Sequence, residues 1–268
     1  MNVEYHRWRS GNLNREMELK VYGHEGKPVL VFPAAGGRFY EYEDFGMVTA
    51  CRPFLEGGRI VLFTVDSVDN ESWLNHGSHP ADRVRRHNEY DRYVVSEVVP
   101  FIRDHGFRRG ILTAGCSMGG YHSANFFFRH PDVFDAVIAL SGVYQLGGFI
   151  GDYMDENVYF HVPLAYLPNL SDPRYLERYR KSRIVICVGQ GAWEDEMLAD
   201  TRALGRILTE KKIPAWVDFW GHDVNHDWPW WRKQMPYFLG KMGYQGKLGT
   251  FSADRASNHQ YSSFPSDW

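Results

Sequence analysis

Residues 111–120 read ILTAGCSMGG, and this stretch decides the fold. The consecutive apolar or small residues Ile111–Gly115 are typical of a strand buried on both faces, and Met118–Arg129 have the apolar spacing of a helix. Between them lies a G-x-S-x-G motif centred on Ser117. A serine in this context sits on a sharp strand-to-helix turn that projects its hydroxyl beyond the sheet, and the flanking glycines let strand and helix approach. The motif predicts that Ser117 is a nucleophile; the alternative is an ordinary turn with a helix-capping serine.

The rest of the chain alternates short apolar runs with longer amphipathic stretches. This alternation predicts an α/β fold, with a mostly parallel central sheet of about eight strands and helices on both faces. The predicted strands are Glu16–Tyr22, Val29–Phe32, Ile60–Val65, Ile111–Gly115, Ala136–Ser141, Ile184–Gly189 and Ala215–Trp220. The predicted helices are Asp82–Asp104, Met118–Arg129, Glu194–Lys211 and Trp228–Leu239.

Composition excludes several classes of protein. The 268 residues carry 30 Lys and Arg against 33 Asp and Glu, with no block of basic residues. Because nucleic-acid binding depends on neutralising phosphates, the protein is not expected to bind nucleic acid. No apolar run is long enough to span a membrane. The N-terminus lacks a basic region followed by an apolar one, which predicts a cytoplasmic protein. Cys51, Cys116 and Cys187 form no C-x-x-C pair and are expected to be buried thiols.

Two segments depart from the alternation. Residues 143–182 contain repeated glycines and prolines and many aromatic residues, which predicts a lid-like insertion near the site. Residues 243–268 are rich in polar residues and predict an extended or weakly ordered tail, which leaves a homo-oligomer open. Residues 1–242 are expected to form a single domain.

A serine nucleophile requires a base and an acid that orients the base. The strand IVICVG is followed by Glu194 and Asp195, and spacing does not separate these two carboxylates as the acid. After the last strand, His226 precedes a helix that begins near Pro229, and it is preferred over His222 as the base. The two histidines could suggest a metal site, but no third ligand is evident and no metal is predicted.

A tetrahedral intermediate also needs N–H donors for its oxyanion. The N–H of Met118, directly after the nucleophile, is one candidate. The second is expected from the small residues that follow Val29–Phe32, where Ala35 or Gly36 is preferred. A phosphate-binding loop is the rival interpretation of this glycine-rich segment, but neither a Walker lysine nor a G-x-G-x-x-G motif follows.

The stretch GCSMGGYHSANFFFRHPDVFDAVIALSGVY and the terminal segment GHDVNHDWPWW resemble the esterase D/putative esterase branch of the α/β-hydrolase superfamily. That branch includes S-formylglutathione hydrolases, feruloyl and enterochelin esterases, and mycolyltransferases. The resemblance implies an α/β-hydrolase fold, with Ser117 as nucleophile, His226 as base and an acid at Glu194 or Asp195. Acyl transfer by these residues requires no metal or organic cofactor.

The sequence therefore predicts a serine esterase that cleaves a carboxylic ester or thioester of a small or polar substrate. An acyltransferase with the same residues, and a catalytically silent binding or scaffold protein, are the alternatives. Aromatic residues make up 16% of the chain, and part of this excess is expected to line the site. The predicted substrate contacts are Trp73, Trp193, Trp228 and Tyr153.

Overall fold

The computed structural model describes residues 1–244, and the strands in it form one eight-stranded sheet in the order β1-β2-β4-β3-β5-β6-β7-β8. The strands are β1 Val3–Ser10, β2 Arg15–Tyr22, β3 Lys27–Phe32, β4 Ile60–Val65, β5 Ile111–Cys116, β6 Phe134–Leu140, β7 Arg183–Val188 and β8 Trp216–Phe219. The pairs β1–β2 and β2–β4 are antiparallel and every other pair is parallel. The predicted mostly parallel α/β sheet is confirmed.

Eleven α-helices surround the sheet within residues 1–244. They are α1 Glu41–Asp44, α2 Met47–Glu56, α3 Pro80–Tyr93, α4 Val99–Asp104, α5 Met118–Arg129, α6 Gly147–Ile150, α7 Glu156–Tyr159, α8 Pro163–Tyr166, α9 Pro173–Lys181, α10 Asp195–Glu210 and α11 Trp228–Leu239. Short 3₁₀ turns cover Asp69–Glu71 and Leu167–Asn169, and π-helical turns cover Val94–Val98 and Gly240–Tyr244. Every helix in this range is too short or too polar to cross a bilayer.

Strand β1 is absent from the sequence-based prediction. Its sequence, VEYHRWRS, is largely polar, and its residues alternate between exposed and half-buried positions because it lies at the edge of the sheet. The single helix predicted over Asp82–Asp104 is two α-helices in the structure, α3 and α4, which a π-helical turn separates. A π-helical turn contains one residue more than an α-helical turn, and the spacing of apolar residues does not reveal that extra residue.

The central strands bury both faces, as their continuous apolar sequences predict. On β3, Leu30 and Phe32 face the core layer that includes Phe126 of α5, whereas Val29 and Val31 face the opposite layer with α2 and α11. Helix α5 is buried along Met118–Phe128. The nucleophile motif therefore begins a helix that is held by the core on several sides.

The insertion 143–182 packs closely against the domain. Its residues Leu146, Ile150, Val158 and Val162 form a buried cluster with Met118, which places the insertion beside the candidate nucleophile. Of the predicted tail, only Gly243 and Tyr244 lie within the described residues, and residues 245–268 lie outside them.

Candidate active site

Ser117 occupies a strained turn between β5 and α5. Its backbone has φ 57° and ψ −124°, a conformation that residues with a Cβ rarely adopt. A Cβ on Gly119 would lie 2.3 Å from the Phe32 carbonyl oxygen, and one on Gly115 would lie 2.3 Å from the Gly119 carbonyl oxygen. The two glycines are therefore required for the close approach of helix and strands. The half-buried Ser117 side chain points toward the loops at the carboxyl edge of the sheet.

His226 and Ser117 are brought together from positions 109 residues apart. The Ser117 Oγ to His226 Nε2 distance is 2.8 Å, and His226 Nδ1 lies 3.1 Å from Glu194 Oε2. The backbone N–H of His226 donates to the Ala192 carbonyl at 3.0 Å, and this hydrogen bond fixes the loop of His226 to the loop of Glu194. Exposed His222 lies outside this arrangement.

Glu194, and not Asp195, contacts the histidine. The Glu194 side chain is 1% exposed, and its other oxygen, Oε1, accepts hydrogen bonds from Ser141 Oγ at 2.6 Å and from the Gly189 N–H at 3.4 Å. Asp195 is the first residue of α10 and is exposed. A turn at Trp193, with φ 66°, separates β7 from α10 and directs Glu194 inward.

Ser141 is a site residue that the sequence analysis missed. It follows β6 with φ 51°, and its hydroxyl donates to Glu194 while accepting from Trp231 Nε1 at 3.1 Å. The Trp231 ring in turn meets the His226 ring edge-on, with centroids 4.9 Å apart. A serine at the end of an apolar strand carries no distinctive spacing, so only the packing of β6 against β7 identifies it.

The N–H groups proposed for the oxyanion differ in their surroundings. The Gly36 N–H donates to Asp69 Oδ2 at 3.3 Å, so it is already engaged. The N–H groups of Ala35 and Met118 make no hydrogen bond within residues 1–244. Of these two adjacent candidates, Ala35 is therefore the one whose N–H group is free.

Asp69 and His122 form a second buried pair that the sequence analysis missed. The Asp69 side chain is 1% exposed and accepts from the Gly36 N–H with one oxygen, while its other oxygen lies 2.8 Å from His122 Nε2. Because His122 lies on α5, this pair connects the loop at Ala35–Gly36 to the helix that begins at Ser117.

Two of the predicted substrate contacts are packed away from solvent. Trp73 is 0% exposed and lies in the buried cluster with Met118 and Tyr121, so its assignment to a pocket wall is corrected to a core position. Trp228 is 9% exposed because Phe45 stacks on it at 4.7 Å. The aromatic surface exposed there belongs instead to Phe45, which is 47% exposed.

The other two predicted contacts remain accessible. Trp193, immediately before Glu194, is 83% exposed. Tyr153 is half-buried, lines a surface cavity formed by the insertion, and donates its hydroxyl to Asp155 at 2.9 Å. Among the insertion's aromatic residues, however, Tyr144, Tyr166 and Tyr179 are buried in the core, so these three do not belong to the part of the aromatic excess that was expected to line the site.

The cysteine beside the candidate nucleophile is kept unreactive by its surroundings. Cys116 is fully buried, and burial raises its pKa well above the usual value for a thiol. Burial also raises the pKa of Cys51 to about 12. Ser117 therefore has no competing thiolate from these residues.

Comparisons with known proteins identify the family of this chain. A family model described as "Putative esterase" matches residues 10–242, so the resemblance drawn from the sequence is confirmed. No curated protein matches the chain by sequence.

Solved structures show the same fold at low sequence identity. A ferulic acid esterase is 17% identical with a TM-score of 0.69, covering 89% of this chain and 96% of that one. An S-formylglutathione hydrolase from Agrobacterium tumefaciens is 15% identical with a TM-score of 0.69, over 89% and 93%. A fluorophosphonate-binding serine hydrolase of Staphylococcus aureus is 16% identical with a TM-score of 0.67, over 90% and 98%. The predicted α/β-hydrolase fold is confirmed.

Proposed function

The chain belongs to the "Putative esterase" family, and from that premise we propose that it is a serine hydrolase that cleaves carboxylic esters through an acyl-enzyme intermediate. The observation that carries the proposal is the continuous hydrogen-bond chain from Ser117 through His226 to Glu194, with distances of 2.8 and 3.1 Å. Distances of this size are expected between a nucleophile, its base and a group that orients the base, and they support the proposal.

The first chemical step follows from the proton positions that this chain requires. A carboxylate accepts only, so His226 Nδ1 carries a proton that it donates to Glu194, and Nε2 presents a lone pair to the Ser117 hydroxyl. As Ser117 Oγ attacks the ester carbonyl, His226 Nε2 takes its proton. The buried Glu194 carboxylate then stabilises the imidazolium that forms.

The oxyanion of the tetrahedral intermediate would be stabilised by the Met118 and Ala35 N–H groups. Both donors are free within residues 1–244, and Met118 begins α5, whose dipole also favours negative charge. Collapse of the intermediate breaks the ester C–O bond, and His226 returns its proton to the leaving alcohol. Water activated by His226 then releases the acid and restores Ser117.

We expect the substrate to be a small or polar ester, or a thioester, because of the residues that border the site. Trp193 offers an exposed aromatic surface beside Glu194, and Tyr153 with Asp155 supplies polar groups on the insertion. We expect Trp193→Ala to raise KM for a preferred aromatic or glycosyl ester several-fold, since an exposed indole contributes contact area with little effect on stability. An unchanged KM would remove Trp193 from the substrate site.

A fluorophosphonate probe tests the nucleophile directly. The expected result is one covalent adduct per chain, located on Ser117 by mass spectrometry, abolished in Ser117→Ala and strongly slowed in His226→Ala. The matched control is His222→Ala, which changes an exposed histidine in the same loop and should label at the normal rate. No adduct on Ser117, or labelling that does not depend on His226, would contradict the proposal.

Rates on a panel of esters then define the substrate class. p-Nitrophenyl esters of increasing chain length should be compared with acetylated sugars, feruloyl esters and S-formylglutathione. A preference for short or polar acyl groups supports hydrolysis of a small ester. Labelling of Ser117 with negligible hydrolysis across the whole panel, but product formation when an alcohol acceptor is added, would favour acyl transfer.

A further inference from the structure

A cluster of two histidines and one glutamate lies away from the candidate active site. We propose that Glu4 and His6, on the edge strand β1, and His105, directly after α4, bind one divalent transition-metal ion such as Zn²⁺. Three strands lie between β1 and β5, the strand that leads to Ser117, so this site is independent of the proposed catalysis. No other group of three or more such side chains converges in this way within residues 1–244.

The distances in the cluster suit a single ion. His6 Nε2 lies 3.0 Å and His105 Nε2 lies 3.6 Å from Glu4 Oε2, and the three candidate ligand atoms all lie within 4.8 Å of one another. With zinc–ligand bonds of about 2.0–2.1 Å, two ligands of a tetrahedral site lie roughly 3.4 Å apart. Small side-chain rotations would therefore bring all three atoms to one ion.

The neighbouring groups orient two of the three ligands. His105 Nδ1 lies 2.9 Å from the Phe101 carbonyl oxygen. Because a carbonyl oxygen only accepts, Nδ1 of the neutral ring carries the proton and Nε2 presents its lone pair to the cluster. The amide of Asn2 donates to Glu4 Oε1 at 3.1 Å, which leaves Oε2 to face the histidines. Such outer hydrogen bonds are the usual support of metal-binding histidines and carboxylates.

The aromatic surroundings hold the imidazole rings in place. The Phe101 ring packs against both, with centroids 4.8 Å from His6 and 4.2 Å from His105, and the two imidazole rings meet edge-on with centroids 5.4 Å apart. The three ligand side chains are 27–39% exposed, so an ion can enter from solvent.

The donor set selects the kind of ion. Two imidazole nitrogens and one carboxylate oxygen favour Zn²⁺, Co²⁺, Ni²⁺ or Cu²⁺ over Ca²⁺ and Mg²⁺, which prefer sets of oxygen ligands. A water molecule would complete a tetrahedral zinc site. The bound ion would join the edge strand β1 to the end of α4, and its expected effect is therefore stabilisation of that edge of the sheet.

Zinc titration of tag-free full-length protein, treated first with a chelator, tests the site. We expect one Zn²⁺ per chain by isothermal titration calorimetry. At a hundredfold excess of Zn²⁺ over Kd, Tm should rise by about 5 °C. Mg²⁺ at the same concentration should leave Tm unchanged.

Single substitutions decide whether these three residues hold the ion. His6→Asn, His105→Asn and Glu4→Gln should each weaken zinc binding at least tenfold while the metal-free Tm stays close to that of the parent. His76→Asn, at an exposed histidine in the loop after β4, is the matched control and should bind as the parent does. Absence of saturable binding, or binding that survives both histidine substitutions, would overturn the proposal and leave the cluster as hydrogen-bonded pairs only.

Discussion

The substitution Glu194→Gln tests the proposed mechanism most sharply, because the structure fixes how the new amide would be oriented. In the parent, Glu194 Oε1 accepts from Ser141 Oγ and from the Gly189 N–H, so a glutamine must place its oxygen at that position. Its NH₂ group then faces His226 Nδ1, where Glu194 Oε2 now lies at 3.1 Å.

An NH₂ donor opposite Nδ1 reverses the proton arrangement of the imidazole. Nδ1 must accept, so the ring proton moves to Nε2, which then points a hydrogen at Ser117 instead of a lone pair. The histidine can no longer take the serine proton, and the imidazolium also loses its carboxylate partner. We expect kcat to fall about 10³–10⁴-fold, equivalent to about 4–5.5 kcal/mol of transition-state stabilisation.

The assay is steady-state hydrolysis of a p-nitrophenyl ester, with circular dichroism to confirm that the variant is folded. KM should change little, since Glu194 is buried beneath His226 and does not face solvent. Asp195→Asn is the matched control because it removes the neighbouring carboxylate, which is exposed, and it should keep kcat within about twofold. A Glu194→Gln variant with kcat within tenfold of the parent, or an Asp195→Asn variant with the larger loss, would refute the reasoning.

Three further outcomes follow from the packing around the site. Replacing His122 with Phe removes the partner of the buried Asp69 carboxylate, and we expect the free energy of unfolding, measured with urea, to fall by about 3 kcal/mol. A change below about 0.5 kcal/mol, the size usual for a surface substitution, would mean that the pair does not stabilise the fold. Gly119→Ala should reduce the yield of folded protein or kcat at least tenfold because the new Cβ would lie 2.3 Å from the Phe32 oxygen, whereas Gly147→Ala, which meets nothing within 4 Å, should resemble the parent. Burial lowers the pKa of His87 and His161 well below the ordinary histidine value, so below about pH 6.5 the unfolded chain binds protons that the folded chain does not. The free energy of unfolding should therefore fall by up to about 1.4 kcal/mol per histidine for each pH unit, and His161→Asn should make this pH dependence weaker. Equal urea midpoints near pH 7 and near pH 5 would contradict the prediction.

The local sequence determined the elements that carry the site. The boundaries predicted for Met118–Arg129 and Trp228–Leu239 match α5 and α11, because both helices have apolar periodicity and clear starts at Ser117 and at Asp227 with Pro229. The central strands were equally evident, since burial on both faces requires continuous apolar runs. The edge strand β1 was not evident from the sequence, because a strand with one exposed face and a charged sequence resembles a loop.

Only the tertiary structure distinguished residues that are equivalent in the sequence. Glu194 and Asp195 are adjacent carboxylates, and the turn at Trp193 sends one toward His226 and the other into solvent. Ala35 and Gly36 are adjacent small residues, and Asp69 engages the N–H of only one.

The aromatic residues divide in the same way. Trp73 and Trp193 both follow strands, but Trp73 packs beneath the insertion while Trp193 faces solvent. The sequence by itself determined the fold, the nucleophile candidate and the order of serine, acid and histidine, because these depend on local periodicity and short motifs. Contacts between distant segments, which no local pattern encodes, decided which carboxylate lies against His226, which candidate oxyanion N–H is free, and what Ser141 and His122 contact.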